Sequence, residues 1–195
     1  MMVKVKSYSA VDVSLRDVFH FLRIGDASAR EDLTGDVISV IEELKDIARP
    51  RVCYSKYDVS TDGEVLDLGF TKVKSRDLQK NLSGCREIIL VAATVGLETD
   101  RAIAKYSRLS PARALILQAA GAAAVEATLD KLSEELKADG LTLRPRFSCG
   151  YGDLPLELQK DIFASLDCPK NIGVSLTDTF LMTPTKSVSA IIGIE

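Results

Sequence analysis

The chain has no tryptophan and one histidine, His20, among its 195 residues. A single imidazole nearly excludes a histidine-built metal site and leaves little for a Ser-His-Asp arrangement. The four cysteines, Cys53, Cys85, Cys149 and Cys168, are scattered and form no C-x-x-C pair. That favours reduced thiols over a disulfide framework or a zinc site. Neither charge sign dominates: the net charge is −3 and the pI is near 5.4, which argues against a phosphate-backbone binder. No apolar run reaches the twenty or so residues needed to span a bilayer, and no signal-peptide pattern opens the chain. G-x-G-x-x-G and phosphate-loop motifs, internal repeats and low-complexity linkers are all missing. These absences leave a soluble, cytoplasmic chain of one domain, residues 1–195. Its apolar fraction of 46% and charged fraction of 27% are enough for one well-buried core.

Apolar periodicity supplies the elements. Val3, Val5 and Tyr8 alternate with polar residues as in an edge strand, and Ser14 suits the cap of a helix to about Ile24. Leu33, Val37, Ile41, Leu44 and Ala48 recur at helical spacing until Pro50. Arg51 to Val59 reads as a strand, and Asp62-Gly63 as a turn that lets residues 64–70 pair back. The continuous run Ile88 to Thr94 suits a central strand buried on both faces. Ser110-Pro111 marks the start of a helix that should run to about Ala138 and stop at Asp139-Gly140, a length of roughly 42 Å. The predicted class is α/β (α+β): a twisted mixed or antiparallel sheet, including residues near 88–94 and 187–193, packed with helices.

Two places carry potential chemistry. Within the long helix, Ala119 to Ala124 form a small-sided run, and Glu126 follows beside the Val125/Leu129 stripe. Glu126 is either a solvated boundary carboxylate or a carboxylate at the edge of an alanine-floored pocket, placed for a cationic ligand. Beyond the helix lies Arg146-Phe147-Ser148-Cys149-Gly150-Tyr151-Gly152-Asp153-Leu154-Pro155. A guanidinium offers a planar fork of donors for a carboxylate and stays charged when buried. Gly150 and Gly152 free the backbone on either side of Tyr151, and Asp153 with Pro155 suggests a helix start whose unpaired N–H groups face the loop.

In order and spacing this block, with Lys160, and a second block containing Phe180, Met182, Pro184, Ser187 and Ser189 resemble the S-adenosylmethionine-binding activation domain of cobalamin-dependent methionine synthase. The resemblance implies that Arg146 takes the methionyl carboxylate, the Ser148 backbone the adenosyl moiety, and Gly150-Tyr151 the ligand near the corrin face. Glu126 stands for a functional glutamate on the same helix, and Met182, Thr183 and Pro184 would face the cobalamin. Cys149 replaces a family proline, and Thr183 a tryptophan. The function implied is that of an accessory protein in trans: S-adenosylmethionine gives its methyl group to inactive cob(II)alamin of a partner. That partner is a cobalamin-dependent methionine synthase core or another corrinoid protein, and a flavodoxin-like donor supplies an electron. No nucleophile or acid–base pair has the spacing for independent catalysis, so the chain reads as a component of a methyltransferase. The alternative is a docking or regulatory module for corrinoid proteins without methyl transfer, with which the end of the chain at Glu195 agrees.

Overall fold

The central sheet has four strands, and every neighbouring pair is antiparallel. In the computed structural model, which describes residues 2–195, β1 (Lys4–Ser7) is followed by α1 (Leu15–Leu22), α2 (Ala27–Ile47) and β2 (Arg51–Asp58). Three two-residue strands come next, β3 (Ser60–Thr61), β4 (Leu66–Asp67) and β5 (Lys72–Val73), then α3 (Arg76–Asn81) and β6 (Glu87–Thr94). After α4 (Leu97–Leu109) and α5 (Pro111–Ala138), a 3-10 turn at Leu156–Leu158 leads to α6 (Gln159–Leu166) and α7 (Cys168–Ile172). The chain closes with β7 (Ser175–Leu176), β8 (Met182–Thr183) and β9 (Ser187–Ile194). The sheet order is β1-β2-β6-β9.

Strand alternation divides the core into two layers. Ile89, Val91 and Ala93 of β6, with Ala190, Ile192 and Ile194 of β9, join the layer containing α1, α2 and α5. Ile88, Leu90 and Ala92, with Ile191, join the opposite layer with Leu78, Ile162, Phe163 and Ile172. Both faces of β6 are therefore dry, which is why its sequence is a continuous apolar run rather than an alternating one.

The long helix has the expected bounds. Pro111 occupies its first turn, where the missing N–H costs nothing, and Gly140 beyond its end takes φ +91°. Ser110 stands at the cap position, but its side chain makes no capping hydrogen bond, contrary to the sequence expectation. Val125, Leu129, Leu132 and Leu136 are buried as predicted. By length and composition α5 also contains a segment apolar enough to cross a membrane, and 61% of that segment is buried within this fold.

Three local expectations are corrected. The turn at Asp62-Gly63 brings β4 back onto β3, not onto β2, because β1 and β6 already occupy both edges of β2. The alanine run is a packing surface over most of its length: Ala119, Ala120, Gly121, Ala123 and Ala124 are buried, and of these Ala123 alone lines a cavity of about 450 Å³ beside Glu126. At Gly121 an added Cβ would meet Lys186 at 3.1 Å and Thr99 at 3.2 Å, so small residues here let α5 close against α4 and the entry to β9. The helix expected after Asp153 and Pro155 does form, from Leu156 through Leu166, but Asp153 does not cap it. Its carboxylate accepts from the Ser75 hydroxyl and from the Arg76 N–H at 2.7 Å, so it caps α3 instead.

Candidate ligand-binding site

After α5 the chain turns back and runs along the outer edge of β9. Glu195 N–H donates to the Thr142 carbonyl (2.9 Å), Arg144 N–H to Gly193 (2.9 Å), and Phe147 and Ile191 exchange N–H···O bonds at 2.9 and 2.8 Å. This ladder fixes the backbone on both sides of Arg146. Between residues 143–148 and α5 lies a cleft of about 820 Å³, lined by Glu126, Asp130, Arg146, Ser148 and Tyr151, with Val188 and Ala190 beneath.

Glu126 and Asp130 stand one helical turn apart and so share a face of α5. The Arg146 fork reaches both: Nη2 donates to Glu126 Oε2 at 2.8 Å and Nη1 to Asp130 Oδ1 at 2.6 Å. The arginine side chain is 27% exposed and the aspartate 61%, so the charge cluster sits at the cleft wall with its outer rim in water. Glu126 and Asp130 also line a second cavity of about 450 Å³ on the other side, where Asp12, Asp17 and His20 converge.

The glycine-tyrosine turn is built for presentation. Tyr151 N–H donates to the Ser148 carbonyl (3.2 Å), Leu154 N–H to Tyr151 (3.0 Å) and Gly150 N–H to Leu154 (3.0 Å). These N–H groups are thus used within the loop rather than left free for a ligand. Gly150 takes φ +87°, and Gly152 takes φ +54° where a Cβ would lie 2.1 Å from the Asp77 carboxylate. The turn leaves the Tyr151 ring 70% exposed. Cys149 behind it is buried, and burial pushes its thiol up to about 12, so it stays protonated and unreactive. The hydrogen bonds from Ser75, then Arg76, hold the Asp153 carboxyl below the usual range.

The second block lies apart from this cleft. Thr177 and Leu181 bond across a tight turn, with Thr177 N–H donating to the Leu181 carbonyl at 2.9 Å. Phe180 within the turn carries the Lys160 ammonium 4.9 Å above its ring, tying this turn to α6. Thr185 anchors the segment to α4, donating both its N–H and its hydroxyl to Asp100 at 2.7 Å. Met182 is half-buried against the lower core layer, Pro184 is buried and Thr183 is exposed. None of the three lines the 820 Å³ cleft, and the outermost apolar side chain of the block is Leu181, 67% exposed.

Of the residues singled out in the sequence, the structure gathers Glu126, Arg146, Ser148 and Tyr151 around one cleft and uses Gly150 to shape its turn. Sequence reasoning missed Asp130 and Asn81. Asp130 was signalled by its i+4 relation to Glu126. Asn81, which supports the Pro145 carbonyl with its amide (3.2 Å), had no local signal.

An antiparallel sheet covered by helices on both faces, with an arginine fork opposed to acidic side chains at its edge, defines an α+β domain with a charged cleft beside its outer strand. Residues 126–194 match the family described as vitamin B12 dependent methionine synthase, activation domain. In fold, 99% of this chain superposes on 78% of the chain in a crystal structure of the MetH reactivation domain bound to AdoHcy, with a TM-score of 0.75 and 16% identity. No curated protein sequence matches the chain. The resemblance read from the two sequence blocks is thereby shown. The match in sequence is confined to residues 126–194, and the chain as a whole shares the fold of the reactivation domain.

Proposed function

We propose that this chain binds S-adenosylmethionine in the cleft between α5 and residues 143–151 and acts in trans on a cobalamin-dependent methionine synthase. One observation carries the reading: Arg146, Ser148, Tyr151 and Glu126, which the family resemblance marks as ligand residues, line a single cleft although they come from a helix, a sheet-edge segment and a turn. Arg146 would take the methionyl carboxylate on one arm of its fork, Glu126 would face the cationic part of the ligand, and Tyr151 would cover it from the cleft mouth.

Cobalamin belongs to the partner, and when bound there it supplies the methyl-accepting cobalt, reduced by one electron from a flavodoxin-like donor. The side chains here that fit the flat face of a corrin are exposed and compact: Leu181 and Thr183 on one loop and Tyr151 on the other. This chain's contribution is to hold the methyl donor in place. Cys149 is protonated and buried behind the turn.

A second reading, a corrinoid-protein docking module without methyl transfer, is favoured by one observation: the Arg146 fork is already engaged by Glu126 and Asp130. Two measurements decide. Calorimetry with S-adenosylmethionine should give saturable binding, and its failure leaves only the docking module. A cobalamin-loaded methionine synthase lacking its own activation domain should regain turnover when this chain, S-adenosylmethionine and an electron donor are added together. Binding without restored turnover would overturn the role in trans.

A further inference from the structure

The geometry points to Asp130 as a specificity residue that admits ligands carrying an α-ammonium beside their carboxylate and rejects those with the carboxylate alone; this rests on reading the cleft as an S-adenosylmethionine site. Arg146 is the cation that faces the centre of the cleft wall, and both arms of its fork are used. One arm holds Glu126 at 2.8 Å, the other Asp130 at 2.6 Å. A ligand carboxylate therefore gains the fork only by displacing at least one of these acids.

The consequence follows from charge. One guanidinium and two carboxylates already leave this cluster with an excess negative charge. A ligand carboxylate arriving alone would add another and leave the displaced acid without a partner. The other cations lining this cleft do not relieve this. Arg144 pairs with Glu195 at 2.8 Å and donates to the Ser83 carbonyl at 3.0 Å. Lys137 lies seven residues beyond Asp130, about 10 Å further along the helix axis at 1.5 Å per residue. An α-amino acid brings the missing charge with it. Its carboxylate takes the Nη1 arm, and its ammonium, one carbon away, meets the released Asp130. The exchange raises the number of ion pairs from two to three, whereas a bare carboxylate keeps two and leaves Asp130 unpaired.

Asp130 is placed to be the acid that yields. It is 61% exposed against 43% for Glu126, so water can receive it while the ligand enters, and an exposed pair of this kind is weakly held. Glu126 and Asp130 both line the second cavity as well, so a released Asp130 side chain has open space on either side of the α5 ridge.

The test compares two thioether ligands by calorimetry: S-adenosylhomocysteine, and its deaminated analogue in which hydrogen replaces the α-amino group. The wild-type chain should prefer the zwitterion by about fivefold, the upper scale of an exposed ion pair. Asp130→Asn should bind the analogue about threefold more tightly than wild type does, and the preference should shrink to about twofold or less. Asp130→Glu should restore most of the preference, which a merely structural aspartate would not require. An unchanged preference in Asp130→Asn, with wild-type stability and measurable S-adenosylhomocysteine binding, overturns the assignment. Absence of S-adenosylhomocysteine binding to the wild type overturns the underlying reading of the cleft instead.

Discussion

Replacing Arg146 with alanine separates a binding arginine from a structural one. In the free chain the guanidinium makes two ion pairs, but its acidic partners are 43% and 61% exposed. Water and salt therefore compensate most of their loss, and the variant should fold with stability within about 1 kcal/mol of wild type. The ligand carboxylate is different. In the cleft it would be stripped of water on the side facing Val188 and Ala190, so deleting its partner should weaken S-adenosylmethionine binding by about 2–4 kcal/mol, or roughly 30- to 900-fold. Arg146→Lys should recover little of this, because an ammonium cannot hold Glu126 and the ligand carboxylate at the fixed angle of the planar fork. Urea denaturation gives the first quantity and isothermal calorimetry the second. Unchanged affinity in both variants would remove Arg146 from the site. A large loss of stability without a change in affinity would make it a strut between α5 and the sheet edge.

Three other outcomes can be checked. Changing the exposed Leu181 and Thr183 together to aspartate should abolish reactivation of a partner synthase yet leave S-adenosylmethionine affinity within about threefold, or roughly 0.7 kcal/mol; loss of both would mean that loop and cleft form one pocket. Gly152→Ala should lower stability by about 1–3 kcal/mol, since alanine must hold a positive φ and push the Asp77 carboxylate aside, and a urea midpoint equal to wild type would contradict the geometry. Asp153, whose folded pKa is depressed by the Ser75 hydroxyl and the Arg76 N–H, contributes stability that is full above the unfolded value of about 3.9 and lost as pH falls through the folded one. The stability gap between wild type and Asp153→Ala should thus stay constant from pH 7 to about pH 5 and narrow below, and a gap that widens on acidification would refute the assignment.

Much of this arrangement could be read along the chain where the determining forces are local. The bounds of α5 follow from Pro111 at one end and Gly140 at the other, and the double burial of β6 from seven consecutive residues without a charge. The Arg146 to Tyr151 block was visible because its residue types are costly to place without a ligand or a partner. What escaped depends on which surfaces meet. Asp153 looks like a local helix start, yet the nearest unpaired N–H groups belong to a helix that begins 77 residues upstream, at Arg76. A run of alanines says that something comes close, but only packing reveals that the close object is Lys186 and α4 rather than a ligand. Asp130 meets Arg146 only because the chain reverses after Gly140 and lays the arginine across it.

The same reversal has a consequence for the sheet itself. An open sheet has two rims, each a row of unpaired N–H and C=O groups that invites a foreign strand. Here residues 142–147 cap the β9 rim through hydrogen bonds at Thr142, Arg144 and Phe147. The opposite rim is the four-residue β1, which carries Lys4 and Lys6 and offers too short and too charged a template for strand addition. Association with another protein is therefore steered away from β-augmentation and toward the loops at the ends of the strands. The segment that lays Arg146 against α5 is also the one that covers the sheet's outer rim. Cutting or loosening it should cost solubility as well as affinity.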